Sequence, residues 1–233
     1  DMGKRCVSLT GAQAGILTDS VHGAARILSI DTARIMRELD AGKIVVAAGF
    51  QGAEEGGDTT TLGRGGSDTT AVELAAALKA DRCEIYSDVD GIYTADPRLV
   101  TGAVRLDSID YGDMLHLALH GSQVLHSRSV EAAMRANVRV HLLSSFTRRE
   151  GTVMCKLDDR SGLCGVTRDS SLGTVSIIGR EADAHVLAEA VAALAHSDII
   201  VTRTELFDGG CSLFVSPDRL LPALEITHRR FFR

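Results

Sequence analysis

The run Lys43-Ile44-Val45-Val46-Ala47-Ala48-Gly49-Phe50 most constrains the fold. It is short, apolar and rich in β-branched residues, the pattern of a strand buried on both faces. Such a strand needs helices to cover it, and the neighbouring sequence supplies them. Before it, Ile35, Met36 and Leu39 recur at helical spacing, with Asp31 placed to cap and Gly42 to stop the helix. After it, Ala71–Leu78 is apolar nearly all round, as in a buried helix, and Thr70-x-x-Glu73 has the form of a capping box.

The alternation continues. Cys83–Tyr86 reads as a strand, Tyr111–His120 and Ser129–Ala136 as helices, and Val138–Leu143 as a strand. This order predicts an α/β fold with a mostly parallel sheet. The character changes near Asp158-Asp159-Arg160-Ser161-Gly162. Beyond it, strands are expected at Leu163–Arg168 and Gly173–Ile178, a helix at Glu181–Ala195, strands at Ile199–Phe207 and Cys211–Val215, and a helix from Pro217 to Ile226. Asp208-Gly209-Gly210 is a hairpin signal between the last two strands. A separate small domain over 159–233, following a larger one over 1–158, fits the usual sizes.

With 233 residues and 45% hydrophobic ones, the chain has material for one ordinary domain plus a small one. A net charge of −6, with no dominant basic patch, argues against nucleic-acid binding. Cys6, Cys83, Cys155, Cys164 and Cys211 form no CxxC pair, so a disulfide framework or zinc ribbon is not indicated and a cytoplasmic setting is expected. No apolar run is long enough to span a membrane, and no signal peptide opens the chain.

Chemistry is expected at the loops that leave strand ends, where α/β sheets gather ligands. The first loop culminates in Thr59-Thr60-Thr61-Leu62-Gly63-Arg64-Gly65-Gly66-Ser67-Asp68-Thr69-Thr70. Gly65 and Gly66 let backbone N–H groups approach an anion at a helix start, Arg64 suits a bidentate grip, and Ser67 adds a hydroxyl. By themselves these features fit a phosphate or a carboxylate. The second loop, Tyr86 to Arg98, carries Asp88, Asp90, Asp96 and Arg98 with Tyr93 and Pro97. Carboxylates beside an anion site suit a divalent metal riding on phosphates, and equally suit turn chemistry. His116, His120 and His126 have spacing that a metal site would use, but only Asp113 accompanies them in the helix, which favours solvated or capping roles.

Leu62-Gly63-Arg64-Gly65-Gly66-Ser67-Asp68-Thr69-Thr70-Ala71 resembles the aspartokinase signature. So does Tyr86-Ser87-Asp88-Val89-Asp90-Gly91-Ile92-Tyr93-Thr94-Ala95-Asp96-Pro97-Arg98. Ser8–Gly15, Val46–Gly52 and Arg128-Ser129-Val130-Glu131 extend the likeness over residues 6 to about 155. The resemblance implies an amino-acid-kinase αβα sandwich that moves the γ-phosphoryl of ATP to the side-chain carboxylate of L-aspartate, with Mg2+. It implies that Arg64, Gly65, Gly66 and Ser67 bind aspartate, with Arg64 and Ser67 closest to catalysis. It implies that Ser87, Asp88, Tyr93, Asp96, Pro97 and Arg98 line the ATP site. No protein-held metal is expected. Phosphoryl transfer relies on positioning and charge neutralisation, so no Ser-His-Asp set is needed.

Some family features are missing. The opening Lys-x-Gly-Gly-x-Ser loop and a later Gly-Glu segment have no counterpart, so the chain is expected to be incomplete at its start. Loss of one preorganised donor of that kind costs on the order of 3 kcal/mol, about a hundredfold in rate. Ser127 stands where the family usually has proline. Residues 163–233 resemble an α+β, ferredoxin-like ACT regulatory domain in the order of elements, which implies a homodimer formed through it. The usual Asp-x-Pro-Gly effector loop is replaced by Gly179-Arg180-Glu181-Ala182-Asp183-Ala184. The rival readings are a non-catalytic regulatory or assembly subunit and another member of the amino-acid kinase superfamily.

Overall fold

A computed structural model describes residues 3–159 and 161–232. Asp1-Met2 at the start and Arg160 in the expected junction lie outside the described residues. The chain forms two compact units: residues 1–85 with 125–138, and residues 86–124 with 139–233.

The first unit opens with β1 (Cys6–Leu9), β2 (Ile16–Thr18), β3 (Ile27–Ile30), α1 (Ala33–Asp40) and β4 (Ile44–Ala47). β5 (Gln51–Ala53), β6 (Thr59–Thr61) and α2 (Gly66–Leu78) follow, and β7 (Cys83–Ser87) carries the chain into the second unit. There it forms β8 (Ser108–Ile109) and α3 (Tyr111–Leu119), then returns to the first unit for α4 (Ser127–Ala136).

In the first unit β1 and β4 pair in parallel, Cys6 opposite Ile44 through Leu9 opposite Ala47. A second sheet has the order β3-β2-β5-β6. Its β2–β5 contact is parallel, and β2–β3 and β5–β6 are antiparallel. Leu9, Ala14, Ile16 and Ile35 form the core, with Val7, Val45 and Ala47 against it. β4 departs from the expectation of burial on both faces, because Ile44 and Val46 are more than half exposed. Only its Val45/Ala47 side meets that core, and the pleat turns alternate residues the other way.

α1 begins one residue beyond Thr32, and Asp31 still serves it: its carboxylate accepts from the Ala33 N–H at 3.0 Å. Gly42 ends it at φ +70°. α2 starts at Gly66, well before Ala71, so the expected capping box falls inside the helix. Thr70 instead donates to the Gly66 carbonyl and accepts from the Phe50 N–H.

The second unit continues with β9 (Val140–Ser144), β10 (Thr152–Met154), β11 (Leu163–Asp169), β12 (Thr174–Gly179), α5 (Ala184–Ala195), β13 (Arg203–Phe207), β14 (Gly210–Phe214) and α6 (Leu220–Phe231). β10 pairs in parallel with β8 and antiparallel with β9. The strands beyond residue 162 form one antiparallel sheet in the order β11-β12-β14-β13. The observed sequence β, β, α, β, β, α is the one expected there. The sheets are thus mixed: parallel pairs occur where long connections intervene, and short turns such as Asp208-Gly209 can only close antiparallel ones. Asp110 caps α3 and Asp183 caps α5 through their carboxylates.

The core of the second unit contains Val166, Val175, Ile177, Leu194, Leu213 and Leu224. Ala95 and Val100 are buried in the same cluster. The segment after Tyr86 and the C-terminal module therefore share one core, and residue 158 lies inside this unit.

Candidate functional site

The first loop is built around closely packed glycines, two of them in a conformation that disfavours other residues. Gly63 and Gly65 adopt φ +77° and +68°, the left-handed region that Cβ-bearing residues avoid. A Cβ on Gly65 would overlap the His126 side chain, and one on Gly66 would stand 2.8 Å from the Phe50 ring. Phe50 itself holds φ +70°, an uncommon conformation that collects at functional sites. Its N–H is fixed by Thr70 at 3.0 Å, and its carbonyl accepts from Leu62 N–H at 2.9 Å.

Arg128 clamps this loop from below. At the first turn of α4 it donates to the Leu62 carbonyl and, at 2.7 Å, to the Ala25 carbonyl. His126 caps the same helix, its Nδ1 accepting from the Arg128 N–H at 3.3 Å. The sequence placed Arg128 in a motif, but nothing in the pattern said which carbonyls it would hold.

The result is a loop with its polar side chains turned outward. Arg64 and Ser67 are exposed, and among the described residues Arg64 makes no hydrogen bond or ion pair. The Ser67 and Asp68 N–H groups have no acceptor among the described residues, as at any uncapped helix start. They add the positive end of the helix dipole to the guanidinium. Burial raises the Asp68 carboxyl pKa, and His126 partly opposes that. An open groove of about 800 Å3, lined by Arg26, Thr69, Glu73, Arg128 and Arg135 among others, includes neither Arg64 nor Ser67.

The second loop is held just as firmly. Gly91, at φ +139°, packs against Thr152. The Thr152 hydroxyl accepts from the Ile92 N–H at 2.8 Å and donates to the Leu106 carbonyl at 2.6 Å. The Tyr93 hydroxyl donates to Asp90 at 2.7 Å, and Arg149 donates to the other oxygen of that carboxylate at 2.8 Å. Those two donors, Tyr93 first, lower the Asp90 pKa, while burial and the same bond raise that of Tyr93. No local pattern joins Arg149 to Asp90, because the two lie 59 residues apart in the chain.

Asp96 takes two side-chain hydrogen bonds from Arg98, at 3.0 and 2.9 Å, which lower its pKa. They leave Arg98 Nη1 open to an anion among the described residues. Ser87 donates to Asp88 at 3.0 Å, and Asp88 is exposed. Pro97 is exposed as well. Of the six expected nucleotide residues, Ser87 ends β7 and the other five lie on the loop that follows it, with Tyr93, Asp96 and Arg98 oriented by neighbours.

No group of three or more His, Cys, Asp or Glu side chains converges among the described residues. His116 and His120 pack on the Phe207 ring, His120 stacking at 4.3 Å between centroids. No disulfide joins any of the five cysteines. No helix among the described residues is long and apolar enough to cross a membrane.

The sequence profile of the amino acid kinase family matches residues 2–144, and the chain belongs to that family. It is 47% identical over 204 residues to an aspartokinase of Geobacillus stearothermophilus, covering 86% of this chain and 50% of that protein. It is 57% identical over 152 residues to an aspartate kinase of Pseudomonas fluorescens (strain SBW25), covering 65% and 37%. A crystal structure of E. coli aspartokinase III in complex with aspartate and ADP matches with a TM-score of 0.65 at 28% identity, over 96% of this chain and 54% of that one. The chain spans about half, or less, of the length of the curated relatives it matches.

Proposed function

We propose that the protein acts as an aspartate kinase, transferring the γ-phosphoryl of ATP to the side-chain carboxylate of L-aspartate. The observation that carries this reading is the outward-facing Arg64, with no ion pair or hydrogen bond among the described residues, at a left-handed glycine start of α2. A carboxylate is the natural partner for a planar guanidinium beside free N–H donors. Arg64, Gly65, Gly66 and Ser67 orient the acceptor, so that a carboxylate oxygen attacks Pγ. The bond from Pγ to the β-phosphate oxygen breaks, giving 4-phospho-L-aspartate and ADP. Ser87, Asp88, Tyr93, Asp96, Pro97 and Arg98 line the nucleotide. Mg2+ carried with ATP would neutralise part of the phosphate charge. The protein contributes orientation and fixed positive charge rather than a covalent intermediate.

Residues 159–233 are read as an ACT-like regulatory domain that pairs with a second copy. The antiparallel sheet and its two helices support this, as does the exposure of Leu206 on edge strand β13 and of Ile200 in the connection that leads into it. A cytoplasmic setting suits cysteines that form no disulfide.

The test is incubation with Mg-ATP, L-aspartate and hydroxylamine, scored as aspartyl hydroxamate. Product that disappears with Arg64→Ala supports the kinase. Retained ATP binding without product favours a regulatory subunit. Product from a different acceptor alone would overturn the aspartate assignment.

A further inference from the structure

The nucleotide loop is tied to the last helix of the chain at one residue, Thr94. Its N–H donates to the Val104 carbonyl at 2.9 Å, and its carbonyl accepts from the Val166 N–H of β11 at 2.7 Å. Its Oγ1 accepts from the Val104 N–H at 3.0 Å and lies 2.8 Å from Nε2 of His228 on α6. Both side chains are buried; His228 is 1% exposed. The imidazole also stacks on Phe232, 5.1 Å between centroids and 15° between planes. Because Oγ1 already accepts one N–H, its own proton is available for Nε2. A neutral imidazole protonated on Nδ1 would accept that proton, and one protonated on Nε2 would donate to the second lone pair of Oγ1.

Filling this space would not need a histidine. A leucine would bury apolar area without the cost of removing an imidazole from water. What the imidazole adds is a directional bond to a residue flanked by Tyr93 and followed at once by Ala95 and Asp96. Ala95 and Val100 then anchor the rest of the loop in the core that α6 helps to build through Leu220, Ala223 and Leu224.

We infer that His228 is a positioning residue for the nucleotide loop: from α6 it fixes Thr94, and through Thr94 the placement of Tyr93 and Asp96. The ligand in this statement rests on the kinase reading; the latch itself does not. Linkage is reciprocal, so a change that draws α6 away weakens nucleotide affinity, and bound nucleotide holds α6 in place.

The test uses the 233-residue chain as wild type, His228→Leu and His228→Gln, with Thr94→Val removing the hydroxyl from the other side. Amide hydrogen exchange is followed at Thr94, Val104 and Val166, and Mg-ATP and L-aspartate are titrated separately. Loss of one buried hydrogen bond should speed exchange at these amides about fivefold and weaken Mg-ATP by a similar factor. L-aspartate affinity should stay unchanged, and glutamine, whose amide oxygen accepts the hydroxyl proton, should restore part of the loss. Faster exchange spread evenly over the unit, or equal weakening of both ligands, would show a merely structural contact and overturn the proposal. A wild type that binds no Mg-ATP would sink the kinase reading of the loop, and the exchange pattern would still decide the latch.

Discussion

Gly65→Ala is the sharpest perturbation of the anion loop. The residue sits at φ +68°, where a Cβ costs about 1 kcal/mol. The added carbon would also overlap the Cβ and Cγ of His126, the cap of α4, which is backed by helix rather than by a flexible tail. Overpacking of that kind costs about 1–3 kcal/mol. The two terms predict a loss of about 2–4 kcal/mol, a large share of the roughly 5–15 kcal/mol by which domains are stable. Urea unfolding followed by circular dichroism reads it as a lower midpoint, by about 1 M for a slope near 3 kcal/mol/M. Gly49→Ala is the control, because a Cβ there meets Ser67 and Thr70 at ordinary distances of 3.5 to 3.8 Å. If Gly65→Ala unfolds within about 0.5 kcal/mol of wild type, the glycine is not required by its conformation and the loop geometry described above is wrong.

Other outcomes follow from the second loop and from His228. Thr152→Val removes a buried hydroxyl that serves both Ile92 and Leu106, leaving an N–H and a carbonyl unpaired. The expected loss is about 2–4 kcal/mol, measured by thermal or urea unfolding, whereas Thr152→Ser should recover most of it. Burial alone lowers the His228 pKa from its ordinary value of 6.5. Protonation therefore disfavours the folded state. Stability should be full above about pH 6.5 and fall as the pH drops through the folded-state value. Urea midpoints at pH 7.5 and 5.5 check this: the difference should shrink in His228→Gln, and an unchanged difference would contradict it.

How much of this could be read in the sequence depended on how far apart the interacting residues lie. The two loops were legible because their glycines, arginines and aspartates are contiguous, and local backbone needs dictate them. The long helices and the C-terminal order of elements were legible from periodicity. The start of α2 was not, because Gly65 caps it by conformation rather than by a side chain. The short strands β2, β3, β5, β6, β8 and β10, of two to four residues each, carry too few positions to show a period. Neither the Arg149–Asp90 pair nor the Thr94–His228 bond has a local signature, since the partners are 59 and 134 residues apart. The burial of β4 was overestimated because an apolar run reports what a strand is able to bury, not which layers cover it.

The central claim is that Arg64 grips the acceptor carboxylate. Calorimetric titration of L-aspartate and of Mg-ATP into wild type and Arg64→Ala tests it most directly. Arg64 is exposed and makes no internal bond among the described residues, so the variant should fold as wild type does. Loss of a charged, bidentate contact, at about 1.5–3 kcal/mol, should weaken L-aspartate by roughly 10- to 100-fold and leave Mg-ATP unchanged. Unaltered aspartate affinity in a folded variant, or a loss confined to Mg-ATP, would contradict it.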